Sequence, residues 1–190
     1  MATFLGYTIM HPATPGWEDD SEDARAGGVE QVSTGGMNKR YTLAFDLEAE
    51  TEVEASGAQM VLMGHKNRYG TGRAFDFDWF QGLGIEPPAA ATFNGGKAIG
   101  AKEVVFSVAV PVGAFFQVSG ARPLYQIAEA GTGRTRYIEP ALVNAVTNGA
   151  AVDFTPTVRV KHRAGSGLTF GTNDHGIAVP RVSLIEARTG

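Results

Sequence analysis

The chain contains no cysteine among its 190 residues. This absence excludes disulfide bonds, thiolate metal sites and a cysteine nucleophile. Charge of one sign is also in little excess, because 20 acidic and 16 basic residues leave a formal net charge of −4. Nucleic-acid binding favours a basic face, so we predict no sequence-specific binding of nucleic acid.

Long hydrophobic runs are missing as well. No segment approaches the roughly 18 consecutive apolar residues of a transmembrane helix, so the sequence predicts no membrane span. Residues 1–10 have neither a basic region nor a small-residue cleavage signal. We therefore expect no secretory signal peptide there and synthesis in the cytoplasm.

Turn-forming residues, in contrast, are frequent. The 25 glycines and 9 prolines separate short runs that are rich in Val, Phe, Tyr and Thr, a pattern typical of a mainly β protein with many turns. Apolar residues make up 43% of the chain, which is enough for a packed core. A length of 190 residues accommodates one domain or two small ones.

Residues 41–64 combine a strand with a helix. Apolar and polar side chains alternate over 41–47, and this period of two predicts a half-buried strand. Thr51-Glu-Val-Glu54 matches a capping box, so we predict one short helix over about 51–64. Gly64 is its predicted end. Its predicted buried stripe consists of Val53, Gly57, Met60 and Val61.

A second aromatic strand follows at 75–80. Phe75, Phe77 and Trp79 share one face, which we interpret as core. Asp76 and Asp78 share the other face and raise an acid–base hypothesis. A solvated or interface face is the preferred interpretation, because no histidine is in obvious register with the two carboxylates.

Short strands dominate the second half of the chain. Those predicted at 103–110, 115–118, 124–127, 135–138 and 151–154 indicate a small barrel or curled sheet after the Pro- and Gly-rich connector 87–96. Two further strands are predicted at 157–162 and 182–187. We expect these closing strands to return to the first sheet, which makes residues 101–154 an insertion.

Ionisable residues form no recognisable site. The histidines His11, His65, His162 and His175 have no metal-binding spacing. The acidic cluster beside Trp17 lacks the glycine and the terminal glutamate of a calcium loop, so a solvated loop is preferred over a cation site. Its members are Glu18, Asp19, Asp20, Glu22 and Asp23.

The remaining polar motifs read as turns and strand ends. Asn173-Asp-His175 is interpreted as a polar turn, and the Gly-Thr-Gly-Arg runs that begin at 70 and 131 as tight turns rather than phosphate loops. Lys161-His-Arg163 is interpreted as a solvated strand end. We therefore predict no catalytic, cofactor-binding or metal-binding residue, and a binding or structural role rather than an enzyme.

The order of these elements resembles a known family. Asn38–Leu47, the helix and Gly72–Phe77 are similar to the minor tail and distal tail proteins of long-tailed bacteriophages. Similar elements follow downstream at 116–127, at Tyr137-Ile-Glu-Pro-Ala-Leu142 and at Ser183-Leu-Ile-Glu-Ala187. The resemblance covers residues 29 to 187, and its weight rests on the order of the elements rather than on any one motif.

The resemblance implies a fold and a domain organisation. The expected fold is mainly β, a β-sandwich or tail-tube-like barrel with one short helix and a small inserted β-barrel. Residues 1–36 are expected to form an irregular N-terminal arm, and 37–100 with 155–190 the tail-tube-like domain. Residues 101–154 are the expected insertion.

The resemblance also implies a function. The chain is expected to be a virion structural protein of the tail tip or baseplate, forming a homo-oligomeric ring, expected to be a hexamer, that links the tail tube to the hub and fibres. Its expected partners are the tail tube, hub and tape measure proteins, and its expected location is the virion tail. Two alternatives stay open: a carbohydrate-binding β module for host-surface recognition that stacks sugars on Trp17, Tyr69 or Trp79, and a small hydrolase that uses Asp76 or Asp78.

Overall fold

The computed structural model describes residues 3–9, 14–19, 39–69, 73–79, 81, 84–121, 123–163, 169–172 and 176–187. These residues form short antiparallel strands and one α-helix, which confirms a mainly β fold. The strands are β1 (Thr3–Phe4), β2 (Tyr7–Thr8), β3 (Thr14–Asp19), β4 (Lys39–Asp46), β5 (Phe75–Asp78), β6 (Ala91–Thr92), β7 (Glu103–Val105), β8 (Phe115–Val118), β9 (Leu124–Ala130), β10 (Thr135–Glu139), β11 (Ala151–Asp153), β12 (Thr157–His162), β13 (Thr169–Thr172) and β14 (Ala178–Glu186). The helix α1 (Glu52–Tyr69) lies between β4 and β5.

The chain divides into two compact units. Where it is described, the first unit draws on Met1–Trp17, Tyr41–Phe77 and Arg159–Gly190, and the second on Glu18–Arg40 and Asp78–Val158. The predicted insertion, 101–154, lies inside the second unit, which begins before the connector at which the sequence placed a boundary. The described residues of the predicted irregular arm form β1, β2 and β3.

The first unit is built on one antiparallel sheet. Its strand order is β3-β4-β14-β12-β5, and β13 also pairs with β14. The closing strand β14 lies against β4, with Arg181 opposite Asp46 and Ile185 opposite Thr42. The closing strands therefore return to the first sheet, as predicted. The predicted alternation is confirmed in β4, because Tyr41, Leu43, Phe45 and Leu47 are all buried.

The predicted capping box opens α1. The Thr51 hydroxyl accepts a hydrogen bond from the Glu54 amide at 3.2 Å. The Glu54 carboxylate accepts bonds from the amides of Thr51 at 3.3 Å and Glu50 at 2.8 Å. These contacts satisfy backbone donors that have no partner within the helix.

The predicted end and buried face of α1 are wrong. The helix continues through Gly64 to Tyr69, because the half-buried His65 and Tyr69 extend the side that packs. The buried residues are Ala55, Ala58 and Leu62, whereas Val53, Met60 and Val61 of the predicted stripe are exposed. Ala55 packs with Ala49 and Val179. The small side chains of Ala55 and Ala58 let the helix lie close to the sheet beside Leu62, whereas Val53, Met60 and Val61 are on the exposed side.

A tight hairpin places Phe4 in the aromatic core of the first unit. Strands β1 and β2 pair with Phe4 opposite Tyr7, so the loop is Leu5-Gly6. Both residues have positive φ, 53° and 86°, as a type I′ turn requires. The Phe4 ring then lies 5.6 Å from Phe45 and 5.9 Å from Phe77, measured between ring centroids.

The second unit contains a curled antiparallel sheet. Its strand order is β6-β11-β8-β9-β10-β7. The two outermost strands of this order, β6 and β7, are joined just after their ends by a bridge between Phe93 and Phe106. Beside this bridge the Ser107 amide donates a hydrogen bond to the Thr92 carbonyl at 2.8 Å. The sheet thus closes on a core that includes Phe93, Phe106, Phe116 and Tyr125. Strand β7 ends at Val105 rather than at the predicted residue 110. The next residue, Phe106, already forms the bridge to Phe93, which follows β6.

The half-buried Gln81 and the buried Arg136 organise backbone segments of the second unit. The Gln81 amide donates to the carbonyls of Phe115 and Phe154, both at 2.7 Å, and accepts from the Phe115 amide at 2.8 Å. The buried Arg136 guanidinium donates to the carbonyls of Val110, Gly133 and Thr135. Because Gln81 bonds to Phe115 and Phe154, the chain around it belongs to the second unit, which therefore begins well before residue 101.

Leu5 offers a test of the hairpin. A left-handed conformation costs an L-residue with a Cβ about 1–2 kcal/mol, and asparagine tolerates it better. We expect Leu5→Asn to raise the free energy of unfolding by about 1 kcal/mol, measured by urea denaturation. Leu5→Ala is the matched control, because it keeps the unfavourable conformation. An equal gain from both variants would contradict the turn assignment.

Candidate functional site

The two aspartates of β5 are engaged across the sheet. Both are exposed, as predicted. Asp76 forms an ion pair with Arg159 at 3.3 Å, and Asp78 accepts a hydrogen bond from the Thr157 hydroxyl at 2.9 Å. Exposed pairs of this kind contribute about 0–1 kcal/mol. The geometry agrees with a solvated face, and among the described residues the partners of the two carboxylates are Arg159 and Thr157.

Two of the three aromatic residues proposed for sugar stacking are in contact with other aromatic rings of the protein. Trp79 is only 5% exposed and lies edge-on to Phe115 at 5.5 Å, which confirms its interpretation as core. Tyr69 is half-buried against His65 and Phe75, at 4.5 and 5.1 Å. The Trp17 side chain lies outside the described residues.

Several predicted sites fall outside the described part of the chain. These are His11, the side chains of the acidic cluster, the first Gly-Thr-Gly run and Asn173-Asp-His175. The second run is described, and the turn interpretation of it is confirmed: the Gly131 amide bonds to the Thr135 carbonyl at 3.0 Å, between β9 and β10.

A pair of histidines is the feature that sequence reasoning missed. His65 comes from α1 and His162 from β12, 97 positions later, and their Nδ1 and Nε2 atoms lie 2.9 Å apart. His162 is 1% exposed. Phe75 packs against both rings, at centroid distances of 4.6 and 5.4 Å, and Phe4 packs against His65 at 5.5 Å. The pair therefore lies among aromatic rings.

The pair is held in the neutral form. One imidazole nitrogen must donate and the other accept. We infer that His162 Nε2–H donates to His65 Nδ1, because His162 Nδ1 is buried without a hydrogen-bond partner among the described residues. A bare lone pair there is less costly than an N–H that lacks an acceptor.

Neighbouring groups oppose protonation of the pair. Burial, and then the charges of His65 and Lys66, lower the pKa of His162 to about 4. Burial, and then Arg68, lower the pKa of His65. Within the described residues, no three His, Asp or Glu side chains lie together as a metal site would require. The arrangement suits a neutral structural contact between α1 and the sheet.

Exposed hydrophobic residues form the other distinctive feature. We call Val53, Met60, Val61 and Met63 the outer face of α1; Val53 is 81% and Met60 73% exposed. This face lies opposite the buried residues Ala55, Ala58 and Leu62 on the helix. Other exposed large hydrophobic residues are Phe170 in the first unit and Ile99, Val108, Val112 and Tyr137 in the second.

Two comparisons of the sequence with known proteins found no match. No protein-family model matches the chain, and no curated protein sequence matches it significantly. Among the described residues, no helix is long and apolar enough to cross a membrane.

The histidine pair predicts acid sensitivity of the first unit. The pKa of His162 is about 4 in the folded chain and ordinarily 6.5. Between these pH values the unfolded chain binds a proton that the folded chain does not. The free energy of unfolding therefore falls as pH decreases through this window, by about 2–3 kcal/mol at pH 4.5, and this effect is absent above pH 7.

Denaturation by urea at pH 7.5 and pH 4.5 measures this loss. We expect His162→Leu to remove it, so that the variant loses less stability on acidification than the original chain. His65→Gln is the control that keeps His162 buried and most of the pH dependence. Equal acid sensitivity of the original chain and His162→Leu would show that His162 does not control it.

Proposed function

We propose that this chain is a structural subunit of a bacteriophage tail tip or baseplate, a distal or minor tail protein that assembles into a ring and catalyses no reaction. In this role it links the tail tube to the hub and fibres, next to the tape measure protein, in the virion tail. The proposed ring is a homo-oligomer, and a hexamer is the expected size.

The observation that carries an assembly role is the exposed apolar surface of both units. Each unit has its own exposed large hydrophobic side chains, represented by Phe170 in the first and by Val108 and Val112 in the second. Covering such residues contributes about 25 cal/mol for each Å² of apolar surface removed from water. Contact with another protein would remove these side chains from water.

A ring also requires two different surfaces on each subunit. Head-to-tail contacts join one patch to a different patch on the next copy, and they close when the rotation between copies is suitable. Apolar residues on two separate units provide such a pair of patches. We propose that residues 108–112 of one copy contact the first unit of its neighbour.

The polar groups favour assembly over catalysis. The aspartates of β5 are joined to Arg159 and Thr157, and the histidine pair is neutral and enclosed by aromatic rings. The tail assignment itself rests on the order of sequence elements over residues 29 to 187.

Charge placed at residues 108 and 112 tests the proposed ring contact. We expect the purified chain to form rings in negative-stain images and a defined multimer by native mass spectrometry, alone or with neighbouring tail proteins. Val108→Asp combined with Val112→Asp should shift the population to monomer, because two carboxylates would be buried without partners. Thermal stability should change little, since both side chains are exposed.

Ser119→Asp is the matched control, because it adds a charge at an exposed polar position of the same unit. It should leave assembly unchanged. A chain that stays monomeric under every condition, also with neighbouring tail proteins present, would contradict the proposed function.

A further inference from the structure

We propose that the outer face of α1 packs against the same face of a second copy of this chain, with the two helices antiparallel about a two-fold axis at Met60. The contact is isologous, so it differs from the head-to-tail contact of a ring and goes beyond the proposed function. It pairs two chains whether or not a ring is present.

The spacing of residues along α1 defines the seam. Val53 and Met60 are seven residues apart, and Gly64 follows Met60 by four. Gly57 lies on the same side of the helix but is covered by the Tyr7 hydroxyl, 3.0 Å from where its Cβ would be, so it is not part of the seam. Alternating steps of four and three keep residues on one side of a helix, as in a helix–helix seam. A Cβ added at Gly64 would meet nothing within 4 Å, so a partner helix has room to approach there. Met63 widens the apolar strip beside this seam.

The charges of α1 specify a second copy and its direction. The first turn carries the exposed Glu52 and Glu54, and the last turn carries the exposed Arg68. Lys66 lies on the side of the helix near His162 and is not part of this contact. Met60 lies at the midpoint between these ends. Crossing at Met60 in the antiparallel sense places the acidic end of each helix beside the basic end of the other, and it also opposes the two helix dipoles favourably. A parallel pair would place like charges together.

The size of the contact indicates its strength. A single pair of helices buries less accessible surface than the roughly 1,600 Å² of a standard protein interface. We therefore expect reversible pairing of the isolated chain, strengthened wherever several copies are held together.

The absence of cysteine makes the geometry directly testable. We expect full-length chain carrying Met60→Cys to form a covalent dimer under mild oxidation, because the two copies of this position meet at the axis. Chain carrying only Val53→Cys should not dimerise, since the two copies of position 53 lie about 21 Å apart along antiparallel helices. Mixing Val53→Cys chain with Asn67→Cys chain should produce the crosslinked heterodimer.

Controls separate pairing from random collision. Ser119→Cys, an exposed position in the second unit, should give no dimer at the same concentration. Dimer formation by Met60→Cys should persist when Val108→Asp and Val112→Asp are also present. Its disappearance there would assign Met60 to the ring contact and overturn the two-fold pairing.

Two other results would overturn the proposal. The first is that Met60→Cys chain gives no more dimer than Ser119→Cys chain. The second is efficient dimerisation of Val53→Cys chain alone, which would require parallel helices.

Discussion

The pairing of β14 with β4 is the constraint on which the first unit depends. It joins Arg181 to Asp46, 135 positions apart, through two hydrogen bonds of 2.7 and 2.9 Å between the guanidinium and the carboxylate. A slip of one residue would turn the buried Val182 and Leu184 to the opposite face of the sheet. Strand β14 also pairs with β12 and β13 and packs against α1. Strand β14 therefore holds the sheet and the helix together.

Sequence patterns predicted the structure correctly where the interactions that determine it join residues close together in the chain. The alternation over 41–47 predicted the buried face of β4, and Thr51 with Glu54 predicted the start of α1, because each pattern acts within a few residues. Strands β8 and β12 have the predicted bounds, 115–118 and 157–162. In each case turn-forming or capping residues lie close to the end that was predicted.

Tertiary packing determines the features that sequence patterns did not predict, namely the buried face and the end of α1 and the histidine pair. Val53 and Met60 are the more hydrophobic choice for a buried helical stripe, but the sheet accepts Ala55 and Ala58 because close approach favours small side chains. The helix passes Gly64 because His65 and Tyr69 find partners on the sheet. The pairing of His65 with His162 joins residues 97 positions apart, and no spacing rule encodes such a contact. Both features assigned a role here, the neutral histidine pair and the outer face of α1, thus depend on tertiary structure.

The segment between β5 and β12 bears on how the first sheet tolerates changes of chain length. The chain leaves the first unit at the end of β5 and returns on β12, and these two strands are neighbours in the same sheet. Departure and return points that lie side by side accept an inserted segment without moving the strands around them. Residues 79–156 therefore leave and re-enter the first sheet at neighbouring positions. A change of length within this segment is compatible with an unchanged register of β5 and β12.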